Sequence, residues 1–117
     1  MHNISPDIIL EYHAHVYFEE GRSNADKAKL LQKSIEEQFG QCVEVGRWHK
    51  SPIGPHPTGS YQVKFAAKNF QEFVQWLSLN SNGLSILIHP ETGNELADHR
   101  DHPLWLGAQL KLDLSIF

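Results

Sequence analysis

Apolar residues recur at two different periods along this chain, and the order in which those periods alternate leaves few folds open. Residues 12–18 alternate, with Tyr12, Ala14, Val16 and Phe18 on one side and His13, His15 and Tyr17 on the other, which predicts a half-buried strand. After a break at Gly21, Ser23 followed by Asp26 reads as a capping box. Ala28, Leu31, Ile35 and Phe39 then recur at helical spacing up to a stop at Gly40. Val43 and Val45 alternate with Cys42, Glu44 and Gly46 in a second strand that runs into Trp48 and His49. Pro52, Gly54, Pro55, Pro57 and Gly59 exclude regular structure over residues 51–59. Tyr61, Val63 and Phe65 mark a third strand, and Phe70, Phe73, Val74 and Leu77 form the stripe of a second helix ending near Asn82 and Gly83. Leu84, Ile86 and Ile88 point one way in a fourth strand, leaving Ser85, Leu87 and His89 on its other face. Residues 90–101 read as an ordered polar loop, and Leu110, Leu112 and Leu114 as a last short strand.

This βαββαβ order predicts an α+β, ferredoxin-like domain, an antiparallel sheet with strand order 4-1-3-2 and helices on one face. With 117 residues, of which 40% are hydrophobic, the chain suits a single domain over residues 1–117. The first and third strands are expected to run parallel. That direction would bring His13, His15, His49, His56 and His89 to one rim of the sheet, with His13, His15 and His89 on the face without helices.

Histidine stands out, at 8 residues against 10 for Lys and Arg together, a ratio that makes sense where imidazoles are used near neutral pH. A net charge of -4 argues against nucleic acid as a partner, since such surfaces depend on clustered Lys and Arg. No apolar run reaches the roughly 18 residues of a membrane span, and no charged-then-apolar leader pattern opens the chain, so the expected location is the cytoplasm. Cys42 is the only cysteine, which rules out an intrachain disulfide and a multi-thiolate zinc site within one subunit. It is expected to be a small buried residue. A metal here has to use His, Asp or Glu.

His13 and His15 are two apart on a strand, so both project from one face with their Cα atoms about 7 Å apart, close enough to share an ion. Taken alone, such a pair more often only fills a polar sheet face. The convergence of His56 and His89 on the same place favours the metal. In Asp98-His99-Arg100-Asp101-His102, alternating acids and imidazoles could supply a ligand, an orienting partner or an acid/base, or could form a solvated turn. Trp48, Trp76 and Trp105 are expected to be core or interface residues, with Trp48, beside His49, the one candidate for a substrate wall.

Four motifs in one order carry a family resemblance. They are Tyr12-His13-Ala14-His15-Val16-Tyr17-Phe18, Val45-Gly46-Arg47-Trp48-His49, Gly54-Pro55-His56-Pro57, and His89-Pro90-Glu91-Thr92-Gly93-Asn94-Glu95-Leu96 followed by Asp98-His99. Together they resemble the DOPA dioxygenase family over nearly the whole chain. The resemblance implies a compact, dimeric α+β barrel that cleaves a catechol in the extradiol manner with non-haem iron. The ligand set is read from the residues and not carried from the family.

On that reading His13, His15, His56 and His89 form the ligand pool for Fe(II), with Glu95 or Asp98 as a carboxylate completing a facial triad. His49 or His99 would move a catechol proton, and Arg47 or Arg100 would meet a substrate carboxylate. The partners are then a small aromatic substrate and O2. A homodimer would cover the mixed open face of Glu44, Gln62, Lys64 and Leu87. Two other classes stay open: a zinc or nickel hydrolase or isomerase built on the same imidazoles, and a non-enzymatic, dimeric ligand-binding module.

Overall fold

The computed structural model describes residues 3–117; Met1 and His2 lie outside the described residues. The elements run β1 (Glu11–Phe18), α1 (Ser23–Phe39), β2 (Val43–Val45), β3 (Gly59–Ala66), α2 (Phe70–Asn80), β4 (Ile86–Pro90), α3 (Glu95–Arg100) and β5 (Leu104–Leu106), with three short 3-10 turns between or beyond them. All five strands join one sheet in the order β2-β3-β1-β4-β5, and every described pairing is antiparallel. The α+β architecture and the order of the first four strands are those expected from the sequence.

The side-chain alternation of β1 divides the molecule into a dry side and a polar side. Ala14, Val16 and Phe18 are buried beside Val63 and Phe65 of β3 and Ile86 and Ile88 of β4. Ala28, Leu31, Ile35 and Phe39 of α1 and Phe73 and Leu77 of α2 close over them, so burying these two helical stripes completes the core. Tyr61 adds a polar tie within this layer, its hydroxyl donating to the Ala28 carbonyl at 2.9 Å. The other side of β1 presents His13, His15 and Tyr17.

Four details depart from the expected structure. β1 and β3 run antiparallel, because the α1 crossover makes β2 parallel to β1 and the return into β3 then reverses direction. The stretch 90–101 contains α3, started by the Asn94 side chain accepting from the Ala97 amide at 3.0 Å. The last strand is Leu104–Leu106, paired with Ile86–Ile88, whereas Leu110 and Leu112 lie in coil. Gly107 sets the end of β5: its φ is +69° and a Cβ there would stand 2.5 Å from the Leu84 carbonyl oxygen. Finally, Arg22 rather than Ser23 is the N-cap of α1 and no side chain caps that helix, while the nearby Asn24 accepts from the Glu19 amide instead.

Candidate metal centre

Register places the two strongest ligand candidates side by side. His13 of β1 is the Cα partner of His89 of β4, and His15 is the partner of Leu87 one step further along. Both strands turn these residues to the polar side, where His15 is 5% and His89 1% exposed. The two rings are stacked, and their Nε2 atoms face each other at 3.0 Å. One ligand atom from each of His13, His15 and His89 can be chosen so that all lie within 4.8 Å of one another.

The donor chemistry fits a divalent ion. His89 Nδ1 lies 2.9 Å from the Pro90 carbonyl oxygen, which can only accept, so the ring hydrogen is on Nδ1 and the Nε2 lone pair points toward His15 Nε2. Two ligands at right angles, each about 2.1 Å from one ion, lie about 3 Å apart, which is the Nε2 spacing between His15 and His89. Burial, with neighbouring imidazoles adding to it, holds His15 well below the usual histidine pKa. Burial also lowers His89 to about 4, so both rings are neutral at pH 7 as ligands must be.

The convergence is not at a rim. The start of β3 lies beside Phe18, and His49, four residues past the end of β2, bridges to Ser60, so both sit at the opposite end of β1 from His13. The other imidazoles arrive from above the polar face. The Pro-rich loop before β3 folds back over it and lays the His56 ring 4.3 Å from that of His15, centroid to centroid. The Tyr17 hydroxyl meets His56 Nδ1 at 2.7 Å, and burial lowers His56 to a pKa of about 4. His49 pairs through its backbone with Ser60 and lines, with His15 and His56, a cavity of about 190 Å³. From the other side α3 brings the His99 ring 4.1 Å from that of His89, with His99 Nδ1 donating to the Glu95 carbonyl at 2.7 Å. Phe117 stacks on His99 at 4.5 Å, and the Asp113 amide donates to the Pro55 carbonyl at 2.8 Å, tying the C-terminal turn to the loop. The chain itself covers only part of the face expected to need a partner: Leu87 and the neighbouring Tyr17 are buried, whereas Glu44 and Lys64 stay exposed.

A cavity of about 250 Å³ is left between these walls, lined by all of His13, His15, His56, His89 and His99. Volume does not single it out, since a hollow of about 280 Å³ beside Lys27 and Asn82 is larger. Among the described residues no imidazole lines that hollow.

The carboxylates sort differently from expectation. Glu95 lines the 250 Å³ cavity, but Asp98, although buried, has both oxygens engaged by Thr92, whose amide and hydroxyl donate at 2.9 and 2.6 Å. Its role is to hold the turn into α3. The carboxylate that the sequence reading missed is Glu91, whose Oε1 lies 3.3 Å from His13 Nδ1 and 3.6 Å from His89 Nδ1. Its place directly after the strand end was the available signal. Glu11 approaches the other nitrogen of His13, Nε2, at 3.2 Å. Tyr17 was also missed, although its position two residues past His15 on the same face marked it.

Several candidates are not brought together with the imidazoles. Trp48 stacks on Phe18 at 3.8 Å and sends its Nε1–H to Glu20, against the apolar layer rather than the cavity. Arg47 is exposed, and Arg100 forms a two-pronged pair with Asp101 at 2.8 and 2.9 Å. Among the described residues no arginine or lysine lines the cavity that holds His13, His15 and His89. His102 lines an apolar groove with Ile4, Ile8 and Leu104. Cys42 is exposed rather than buried, because it sits in the turn that follows the end of α1.

The chain is 43% identical to a protein of Nostoc punctiforme that is provisionally named a dioxygenase and solved at 1.46 Å resolution. The TM-score is 0.87 over 96% of this chain and 94% of that one. It is 33% identical over 112 residues to a DOPA 4,5-dioxygenase of Amanita muscaria, and 36% identical over 114 residues to an uncharacterized 21.2 kDa protein of Botryotinia fuckeliana. Those alignments take in 92% and 90% of this chain but only 49% and 62% of the two fungal proteins. With residues 12–116 matching its profile, the chain belongs to the Dopa 4,5-dioxygenase family.

Proposed function

We propose that this protein is a non-haem Fe(II) dioxygenase that opens the ring of a catechol in the extradiol manner. The observation that carries the reading is the approach of His13, His15 and His89, three imidazole donors on one sheet face, within a chain of a dioxygenase family. Imidazole and carboxylate donors without thiolate suit ferrous iron, and the ion would supply adjacent positions for catecholate and O2 and a path for electrons between them.

The surrounding residues have separate tasks. Glu91 faces His13 and His89, orienting the ligand rings and offsetting the positive charge of an ion that they hold. His99 has its hydrogen fixed on Nδ1 by the Glu95 carbonyl, which leaves the Nε2 lone pair to accept a catechol proton. His49, in the lining of the adjoining cavity, is the second candidate for that role. Phe117 and Pro55 narrow the opening and limit water beside the reacting ring. In the overall reaction one ring C–C bond next to the diol breaks and both atoms of O2 enter the product, so no other reductant is required. Glu91 and Glu95 are in the lining without a cation, so the site is built to grip ring oxygens rather than a side-chain carboxylate. Exposed Ile4, Ile8 and Leu104 gather at one groove and supply apolar surface for a homodimer. A single exposed cysteine and a ferrous site both suit a reducing, cytoplasmic setting.

The test is anaerobic reconstitution with Fe(II), followed by air and a panel of catechols. A yellow ring-fission product with matching O2 consumption is expected, and its loss in His15→Ala and His89→Ala. Silence across the panel with one iron bound per chain would overturn the reading in favour of a hydrolase or isomerase.

A further inference from the structure

His56 touches the imidazole group but differs from its other members in what holds it. Its Nδ1 is 2.7 Å from the Tyr17 hydroxyl, and no other hydrogen bond of that hydroxyl occurs among the described residues. Tyr17 is 2% exposed, and Trp105 stacks on its ring at 6.0 Å, so water has little access to the phenol. Two arrangements of the shared hydrogen are conceivable. If Nδ1 donated, the phenol hydrogen would be buried with no acceptor, which is the costly arrangement. If the phenol donates, both groups are satisfied. Nδ1 is then the bare nitrogen, and the imidazole must carry its hydrogen on Nε2.

A nitrogen that carries hydrogen cannot bind a metal. His56 Nε2 also has no hydrogen-bond partner among the described residues, while its ring lines both cavities beside His15. We propose that Tyr17 is a positioning residue that makes His56 a hydrogen-bond donor toward an oxygen of the bound catechol or dioxygen, not a metal ligand. Resting on the dioxygenase reading, this divides the imidazoles into three holders, His13, His15 and His89, and one donor whose hydrogen is set from the back of its ring. The device resembles other sites in which the second ring nitrogen of a histidine decides what the first can do. Tyr17 itself touches neither substrate nor ion, so its effect passes through His56.

Protein labelled with ¹⁵N in histidine tests this first without metal and then with Zn(II), a spectroscopically simple probe. His56→Gln assigns the signals. The expected spectrum shows His56 with a bare Nδ1 and a protonated Nε2 in both states, whereas His15 and His89 move on adding Zn(II). Tyr17→Phe, which keeps the ring against Trp105, should let the His56 hydrogen distribute over both nitrogens while Zn(II) stoichiometry stays at the wild-type value. In the iron-loaded enzyme the same variant should lower kcat about 10-fold or more with little change in KM. A protonated Nδ1 in the wild type, or a Zn(II)-shifted Nε2 of His56, would overturn the proposal. Failure of Zn(II) to move His15 and His89 would instead defeat the metal-enzyme reading, and the metal-free spectrum would still decide the His56 hydrogen.

Discussion

Three imidazoles crowd together with little water around them, and the consequence can be read as a dependence on pH. Burial lowers His56 and His89 to about 4, from the ordinary histidine value near 6.5. Well above pH 6.5 neither the folded nor the unfolded chain protonates these rings, and they contribute no slope. Between 6.5 and about 4 the unfolded chain takes up protons that the folded chain refuses, so stability falls with acid by about 3 kcal/mol for each ring, and levels off below. Urea unfolding of metal-free protein at pH 7 and pH 4.5 should therefore show a clearly lower midpoint in acid, with a shallower dependence in His56→Gln. Equal midpoints would mean that these rings are not held neutral. At this scale the sequence was informative about candidates and poor at roles. His13, His15 and His89 follow from strand alternation alone, whereas Glu91 and Tyr17 act through side-chain contacts that alternation does not report. Trp48 was misplaced because adjacency to His49 in the chain says nothing about which side of a strand end a ring packs on.

At the level of elements, the site depends on two pieces that the periodicity of the chain barely marks. α3 is six residues long, too short for an apolar stripe, and is started by Asn94. Asn94→Ala removes the acceptor for the Ala97 amide and should cost about 1 kcal/mol, felt first as faster amide exchange in Glu95–Arg100 rather than in β1. Because α3 carries His99, the same variant should weaken catechol binding more than it weakens metal binding, which calorimetry on Zn(II)-loaded protein would show. β5 was expected at Leu110–Leu114 on alternation alone. The observed strand is the one that Gly107 and the β4 edge permit: alternation indicates that a segment can be a strand, but pairing requires a free edge within reach. The long helices and β1 were legible because each buries a full stripe or face.

For the molecule as a whole, the same residues join metal binding to folding. His13 and His15 come from β1, and His89 from a strand 74 residues beyond His15, so an ion that all three hold is bound only by the folded chain. A metal at about a hundred times its dissociation constant should then stabilise the fold by about 2.7 kcal/mol, a rise in Tm of roughly 10 °C for a domain of this size. Thermal scans with Zn(II), with Zn(II) plus a chelator, and with His89→Ala check this. The shift should appear only in the first. An undiminished shift in His89→Ala would place the ion elsewhere. Among the described residues no helix is long and apolar enough to cross a membrane.

Which residues face the polar side of the sheet was already determined by the chain, because the pleat turns alternate side chains to opposite faces whatever the strands pair with. The order of the first four strands followed from the crossover logic of βαββαβ. Strand direction and the folding back of two loops over the face were decided by the tertiary structure. A rim of converging strand ends, as expected from parallel β1 and β3, became a floor of His13, His15 and His89 roofed by His56, His99 and Phe117. The reason is physical: local periodicity reports what one segment buries, whereas the contacts His15–His56 and His89–His99 arise between segments whose approach is set by the packing of everything around them.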